Sequence, residues 1–131
     1  MNTRMNQKPY REGFDSTATH NGKRYRLDTL FEIVQNRSVV MIEVSKLTWV
    51  LEYTEVDQDR VVKADTGVPV MVYCDPEYGL TVIDGAHRLT KAVKLEQRFI
   101  LAYMLTDQDM RKAEISNVDS PTRRFNASQE E

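Results

Sequence analysis

The sequence contains very few of the side chains that form covalent cross-links or metal centres. Cys74 is the single cysteine, and only two histidines occur in 131 residues. One cysteine excludes an intrachain disulfide and any cysteine-only metal cluster, and so few cysteines and histidines argue against a structural zinc site. Cys74 stands in the apolar run VPVMVYC, which favours a buried, unreactive thiol.

The sequence also lacks a strong charge excess and long hydrophobic runs. The formal net charge is −2, whereas tight sequence-independent DNA binding usually requires a clear excess of Lys and Arg. The longest apolar runs fall far short of the ~20 residues that span a bilayer. The N-terminus, MNTRMNQKPYREG, has no apolar core of a signal peptide. We therefore expect a soluble cytoplasmic protein with no membrane partner. A local basic patch on its surface is still compatible with the net charge of −2.

Length and composition favour one domain with one modest core. The chain has 131 residues, of which 40% are hydrophobic, and this suits a single domain. We expect a flexible N-terminal arm over residues 1–22, a domain over 23–116 and a polar C-terminal tail over 117–131. The segment STATHNG and its His20 fall in the arm, where we expect solvated loop.

Hydrophobic patterning predicts an α+β domain with a small mixed sheet and packed helices. Strands are expected in four apolar, β-branched segments: SVVMIEVS, VPVMVYC, LTVI and FILAYML. The intervening DPEYG has turn composition, so that the second and third segments form a β-hairpin.

Helices are expected around these strands, in RLDTLFEIVQN, within KLTWVLEYTEV, and in DQDRVVKAD, AHRLTKAVKL and TDQDMRKAEI. Asp28 is the N-cap candidate of the first helix, and Thr106 or Asp107 that of the last. Val62 and Val93 are among the apolar helical residues that we expect to face the core.

The corner between LTVI and the next helix combines features of an anion site. The first N–H groups of a helix lack intrahelical acceptors, and the helix dipole places partial positive charge there. Gly85 lets the backbone approach a ligand closely. His87 and Arg88 add donors in the first turn, and Lys91 follows one turn later. Together they favour a bound anion, with phosphate as the first candidate.

Asp84 is the unexpected member of this corner, because a carboxylate repels a phosphate. It would have to hold a metal, bind a hydroxyl group, or orient His87 and Arg88. The simpler structural alternative makes Asp84 an N-cap, Gly85 a turn residue, and the following pair a solvated first turn of helix. Such corners are common, and this one lacks the repeated glycines of a dinucleotide fingerprint or a Walker loop.

The sequence DGAHRLTKA, after LTVI and before FILAYML, resembles the signature of the ParB/sulfiredoxin superfamily. The segment DGAHR, residues 84–88, is called the box below. IEVSKL and ADTGVPVMVY resemble the superfamily's first strand and the strand before the box, so that the resemblance covers roughly residues 38–105. It implies a ParB/sulfiredoxin-like fold and a bound nucleotide (ATP, ADP or CTP), whose phosphates the box holds at the helix N-terminus. The residues carried over by position are Asp84, Gly85, Ala86, His87 and Arg88, with Thr90 and Lys91 beside them.

Two departures from the superfamily pattern narrow the expected function. Sulfiredoxin-type enzymes have a nucleophilic cysteine inside the box, where this chain has Ala86, so we do not expect reduction of sulfinic acids. Cys74 stands on a different strand and does not replace that cysteine. Chromosome-partitioning ParB proteins continue into a helix-turn-helix domain and a dimerisation domain, and we expect an isolated nucleotide-binding module instead.

Stand-alone relatives in this superfamily include kinases of small hydroxylated substrates such as free serine. On the enzyme interpretation, the catalytic candidates are Asp84, His87, Asp65 and Glu52, and Thr66 is a further nucleotide-binding candidate. Asp65 has a structural alternative as the cap of a turn. A Mg²⁺ ion held by nucleotide phosphates and one carboxylate is compatible with this residue set.

Two classes of function remain open from the sequence. In the first, the domain hydrolyses a nucleoside di- or triphosphate or transfers its phosphoryl group to a small hydroxylated substrate. In the second, it is a non-catalytic accessory module that binds a nucleotide or DNA and acts on a nucleic-acid or protein partner. A short, acidic chain with polar ends is typical of small accessory proteins, those of phages included.

Overall fold

The computed structural model describes residues 16–115 of the chain. Its strands are β1 (Thr17–His20), β2 (Lys23–Arg26), β3 (Val40–Glu43), β4 (Val70–Asp75), β5 (Gly79–Asp84) and β6 (Phe99–Leu105). Its α-helices are α1 (Leu27–Val34), α2 (Gln58–Lys63), α3 (Ala86–Lys94) and α4 (Asp107–Ala113). Two 3₁₀ helices, Val44–Lys46 and Thr48–Tyr53, stand between β3 and α2.

A four-stranded mixed sheet in the order β3–β6–β4–β5 forms the centre of the domain. β3 pairs with β6 and β4 with β5 in antiparallel fashion, whereas β4 and β6 run parallel. The predicted hairpin over VPVMVYC and LTVI is therefore confirmed, and so is the α+β class. α3 connects β5 to β6 and brings the polar box to the end of the β4–β5 hairpin.

The sheet separates two apolar clusters, because successive side chains of a strand point to opposite faces. Val70 and Val72 of β4 are fully buried in one cluster together with Leu89 of α3. Met71, which lies between them in the chain, packs in the other cluster with Leu30 of α1. The strand β4 is thus covered on both faces, which explains its nearly continuous apolar sequence.

The N-terminal segment departs from the prediction of loop. Residues 17–20 and 23–26 form a two-stranded antiparallel hairpin. Asn21 and Gly22 in its turn have φ angles of 53° and 78°, as a type I′ turn requires. Nε2 of His20 lies 2.7 Å from Oδ2 of Asp75 and the His20 side chain is only 11% exposed, so the expectation of a solvated His20 is wrong.

Four further side chains differ from expectation. Val62 is 70% and Val93 41% exposed, because one apolar position on the short α2 and two on α3 already fill the contact with the core. Cys74 is exposed rather than buried. Asp28 lies in the first turn of α1 and not at its N-cap, which is Arg26.

The last helix follows its predicted cap. The Thr106 hydroxyl accepts a hydrogen bond from the Asp109 N–H, and the Asp109 carboxylate accepts one from the Thr106 N–H, which together form a capping box.

The boundaries of the predicted domain at 23 and 116 stay a prediction. Most of the predicted arm (residues 1–15) and the whole predicted tail (117–131) lie outside the described residues. Within residues 16–115, no helix combines the length and the apolar character needed to cross a bilayer.

Candidate nucleotide site

A cavity of about 880 Å³ opens where β5 ends and α3 begins. Its walls come from the start of β1, from α1 and α2, and from the corner between β5 and α3. The polar and charged side chains in these walls are Ser16, Thr17, Thr19, Thr54, Arg60, Lys63, Asp84, His87 and Arg88. Its volume falls within the range of about 300–1,000 Å³ that is usual for small-molecule sites.

Gly85 at this corner is required by the packing of the sheet. Its φ angle of 123° is one that side-chain-bearing residues rarely adopt, and a Cβ atom would lie 2.4 Å from Cγ1 of Val70. Gly85 thus lets α3 start directly against β4. It is also the N-cap of α3 and provides no capping side chain.

The first turn of α3 is therefore left open toward the cavity. Ala86, His87 and Arg88 all line it. Their backbone N–H groups have no acceptor within residues 16–115. Unpaired N–H groups at the start of a helix attract anions, so this wall is suited to bind an anion.

Three cationic side chains surround the same space. Arg88, which lines the cavity, donates from Nη1 to the carbonyl oxygen of Pro69 at 3.2 Å, and this bond leaves most of its donors free. Arg60 and Lys63 of α2 line the cavity as well. Sequence reasoning missed both, although their spacing of three residues on a predicted helix places them on one face.

Asp84 is the only carboxylate among the described residues that line the cavity. It ends β5, where its Cα is in register with that of Met71, and its side chain is partly exposed. Within residues 16–115 the carboxylate has no hydrogen bond and no ion pair. The alternative in which Asp84 caps α3 is therefore wrong, since the N-cap is Gly85.

His87 lines the cavity but also contacts the segment before α2. Its Nε2 accepts a hydrogen bond from the backbone N–H of Asp57 at 3.1 Å. Burial lowers the pKa of His87 below its ordinary value near 6.5, and the positive charge of Arg60 lowers it further, against smaller opposing effects of Asp57 and Asp84. An Nε2 that accepts must be unprotonated, so the neutral imidazole carries its proton on Nδ1.

The two other candidates on α3, Thr90 and Lys91, make hydrogen bonds outside the cavity. Nζ of Lys91 donates to the carbonyl oxygens of Val62, at 2.6 Å, and Ala64, at 2.9 Å. The Thr90 hydroxyl donates to the Ala86 carbonyl oxygen at 2.8 Å. Neither Thr90 nor Lys91 belongs to the cavity lining.

The remaining sequence candidates lie away from the cavity. Oδ1 of Asp65 accepts from the Gly67 N–H at 2.8 Å, which is the turn-capping alternative. The Thr66 hydroxyl is 3.3 Å from Nε2 of Gln97, and Glu52 is exposed on the second 3₁₀ helix. The structure thus brings Asp84, Gly85, Ala86, His87 and Arg88 together at the cavity, and it does not bring Asp65, Thr66 or Glu52 there.

Part of the cavity lining is apolar. Phe31 of α1 is 51% exposed and lines the cavity together with Leu27 and Ile83. Thr17 and Thr19 of β1 add hydroxyl groups at its edge. An exposed aromatic ring beside hydroxyl groups is suited to a ligand that has both a flat ring and a polar portion. Among residues 16–115, no group of three or more His, Cys, Asp or Glu side chains is placed to hold a metal ion.

Comparisons with known proteins find similarity in three dimensions. No protein-family model and no curated protein sequence matches the chain. Sulfiredoxin from Arabidopsis thaliana matches with 18% identity and a TM-score of 0.43, over 57% of this chain and 94% of that one. The C-terminally truncated chromosome-partitioning protein ParB from Caulobacter crescentus, complexed with CTP-γ-S, matches with 14% identity and a TM-score of 0.39, over 71% of this chain and 63% of that one.

These partial matches are to a sulfiredoxin and to a ParB protein, the two kinds of protein named in the superfamily that the box resembles. The function has to follow from the residues of the cavity itself.

Proposed function

We propose that the cavity binds a nucleoside di- or triphosphate, with its phosphates at the start of α3. The observation that carries this proposal is that Arg60, Lys63 and Arg88 line the same cavity as the uncapped first turn of α3. Guanidinium groups and free N–H groups recognise phosphate oxygens by charge-assisted hydrogen bonds. Three cations against the single Asp84 leave a net positive wall for a polyanion.

The apolar part of the lining supports a nucleotide over a simple phosphate. The ring of Phe31 offers a stacking surface for a base, and the hydroxyl groups of Thr17 and Thr19 offer partners for a sugar or a base edge. The base identity, whether of ATP, ADP, CTP or another nucleotide, is not fixed by these groups, because hydroxyls donate and accept equally.

We further propose that the domain transfers or hydrolyses a phosphoryl group. Such reactions depend mainly on positioning and on neutralising charge, and both are available from Arg60, Lys63 and Arg88. Asp84 has no competing partner within residues 16–115, so its carboxylate is free to accept a proton from an attacking hydroxyl group or water. A Mg²⁺ ion fits the site through Asp84 and nucleotide phosphates, since Mg²⁺ typically takes one or two carboxylates and keeps several waters.

One observation favours the alternative, a binding module without turnover. His87 already accepts a hydrogen bond from the Asp57 N–H, so its Nε2 is not available as a general base and Asp84 must act alone. On this alternative the nucleotide, or the phosphate backbone of DNA, anchors or switches the domain for a nucleic-acid or protein partner.

Calorimetric titration of the 131-residue protein with ATP, ADP, CTP and GTP, each with and without Mg²⁺, tests the binding proposal. Arg60→Ala should weaken binding about tenfold or more, as expected for a lost charge-assisted hydrogen bond. Arg111→Ala is the matched control, because Arg111 is exposed in the last turn of α4. No binding of any nucleotide at millimolar concentration would disprove the proposal.

Release of phosphate or nucleoside diphosphate, with and without small hydroxylated substrates, separates the two functions. Turnover that depends on Asp84 supports the enzyme. Nucleotide binding without turnover, together with a salt-sensitive shift of DNA, supports the binding module.

A further inference from the structure

α2 provides two of the three cations at the cavity but has little core of its own. It has six residues, and Val61 is its single buried position. Isolated helices of this length are not stable in water, because the cost of nucleation exceeds the gain from so few hydrogen bonds. The position of Arg60 and Lys63 must therefore be fixed by contacts from outside α2.

α3 makes those contacts at both ends of α2. At the N-terminal end, Nε2 of His87 accepts from the N–H of Asp57, the N-cap residue of α2. At the C-terminal end, Nζ of Lys91 donates to the carbonyl oxygens of Val62 and Ala64, where a helix has unpaired carbonyls. Each interaction satisfies the backbone groups that a helix terminus leaves without an internal partner.

The two side chains stand four residues apart on α3, one turn along the same face. They match the two ends of α2 in polarity, an acceptor meeting an N–H group and an ammonium group meeting carbonyl oxygens. The ammonium also lies at the negative end of the α2 dipole, which strengthens this contact.

We propose that His87 and Lys91 are positioning residues that fasten α2 to α3 and thereby hold Arg60 and Lys63 at the cavity. The fastening follows from the contacts themselves, whereas its consequence for ligand affinity rests on the proposed nucleotide function. His87 then acts on the ligand through α2, even though it belongs to the box that the sequence assigns to the phosphates.

Limited proteolysis with trypsin tests the fastening without any nucleotide, because trypsin cleaves after Arg60 and Lys63 themselves. In the full-length protein, His87→Ala and Lys91→Met should each accelerate cleavage at these two sites by about fivefold or more. Losing one hydrogen bond raises the population of the opened helix by about this factor. His87→Gln should restore the wild-type rate, because its Oε1 is an acceptor of similar reach.

Two controls separate local from global effects. Lys112→Met makes the same chemical change on exposed α4 and should leave the rates unchanged. Arg98 is an exposed trypsin site between α3 and β6, and cleavage there should not change in the His87 and Lys91 variants. Wild-type cleavage rates at Arg60 and Lys63 in both variants would overturn the inference. An equal rise at Arg98, or failure of His87→Gln to rescue, would also overturn it.

Calorimetry then tests the consequence for the ligand. His87→Ala should weaken nucleotide binding in the wild-type background and have no further effect when Arg60 and Lys63 are both replaced by Ala. A full additional loss in that background would mean that His87 contacts the ligand directly, against the proposal. If the wild type binds no nucleotide, the proposed function fails, and the trypsin rates still decide whether α3 fastens α2.

Discussion

Replacing Gly85 by Ala is the substitution with the most direct physical consequence in this fold. The new Cβ atom would lie 2.4 Å from Cγ1 and 2.7 Å from Cβ of Val70, a fully buried residue of β4. The residue would also keep a φ angle of 123°. Two separate penalties therefore act on one added methyl group.

The expected cost follows from adding these penalties. A positive φ angle costs a residue with a side chain about 1–2 kcal/mol, and forcing an extra carbon into a packed core costs about 1–3 kcal/mol. Gly85→Ala should therefore lower the free energy of unfolding by about 2–5 kcal/mol. A domain of this size has only about 5–15 kcal/mol in total, so part of the population could unfold at moderate temperature.

Gly79→Ala is the matched control, because Gly79 has a φ angle of 79° but no atom within 4 Å of the position of its added Cβ. It should lose only the conformational part, about 1–2 kcal/mol. Urea denaturation followed by circular dichroism measures both variants. Equal stability of the two variants would refute the argument that contact of α3 with β4 selects glycine at position 85.

Four further predictions concern charged groups. Arg88→Ala should weaken nucleotide binding by about 1.5–3 kcal/mol in calorimetry, and unchanged affinity would place the phosphates elsewhere. Asp84→Asn should leave the melting temperature and affinity close to wild type but reduce phosphoryl turnover about 100-fold; intact turnover would remove Asp84 from the chemistry, and failed folding would make it structural. Arg37→Met removes the ion pair of the Asp109 carboxylate, which is 7% exposed, and should cost about 1–3 kcal/mol in urea denaturation. Because the hydrogen bond from Arg37 holds the pKa of Asp109 below 3.8, wild-type stability should fall as the pH drops below that value, and that of the variant should fall less. The pKa of His87 is lowered from 6.5 in the folded protein, so on acidification the unfolded chain protonates this imidazole at a higher pH than the folded protein does. The contribution of the neutral imidazole to stability should therefore be complete above pH 6.5 and decline as the pH falls toward the lowered pKa. His87→Gln should remove that decline in thermal melts recorded across this range.

Strands and their order along the chain were predictable because they depend on local composition. The β-branched runs around Val72 and Val82 are apolar enough to identify strands without knowledge of their neighbours. The Thr106 cap of α4 was equally local, since a capping box needs only residues that are three positions apart.

Side-chain burial in short helices was harder to predict. Val62 and Val61 are adjacent and equally apolar, and only the position of α3 determines which of them is buried. The N-terminal hairpin was missed for a different reason. Its residues are polar and suggested loop, although the dipeptide Asn21-Gly22 is a hairpin signal that could have been used.

The part of the candidate site that is local in sequence was predictable, and the part that comes from a distant helix was not. Asp84, Gly85 and Arg88 are close in sequence, so a motif reveals them together. Arg60 and Lys63 reach the same cavity from a distant helix, and nothing in their own segment shows where that helix packs. Helical spacing gives the face on which Lys91 lies but not the identity of the element opposite, so its hydrogen bonds to Val62 and Ala64 could not be predicted.

The central place of β6 in the sheet has a consequence for how the chain folds. Among the strands of residues 16–115, β6 is the last to be synthesised, yet it lies between β3 and β4. Its pairing of Ala102 with both Val40 and Val70 joins segments that are far apart in sequence, and such non-local pairing slows folding. Until β6 leaves the ribosome, β3 and the edge of β4 present unpaired backbone groups and apolar side chains to other chains, which is the usual route to aggregation. A nascent chain stalled before Phe99 would therefore be a substrate for chaperones.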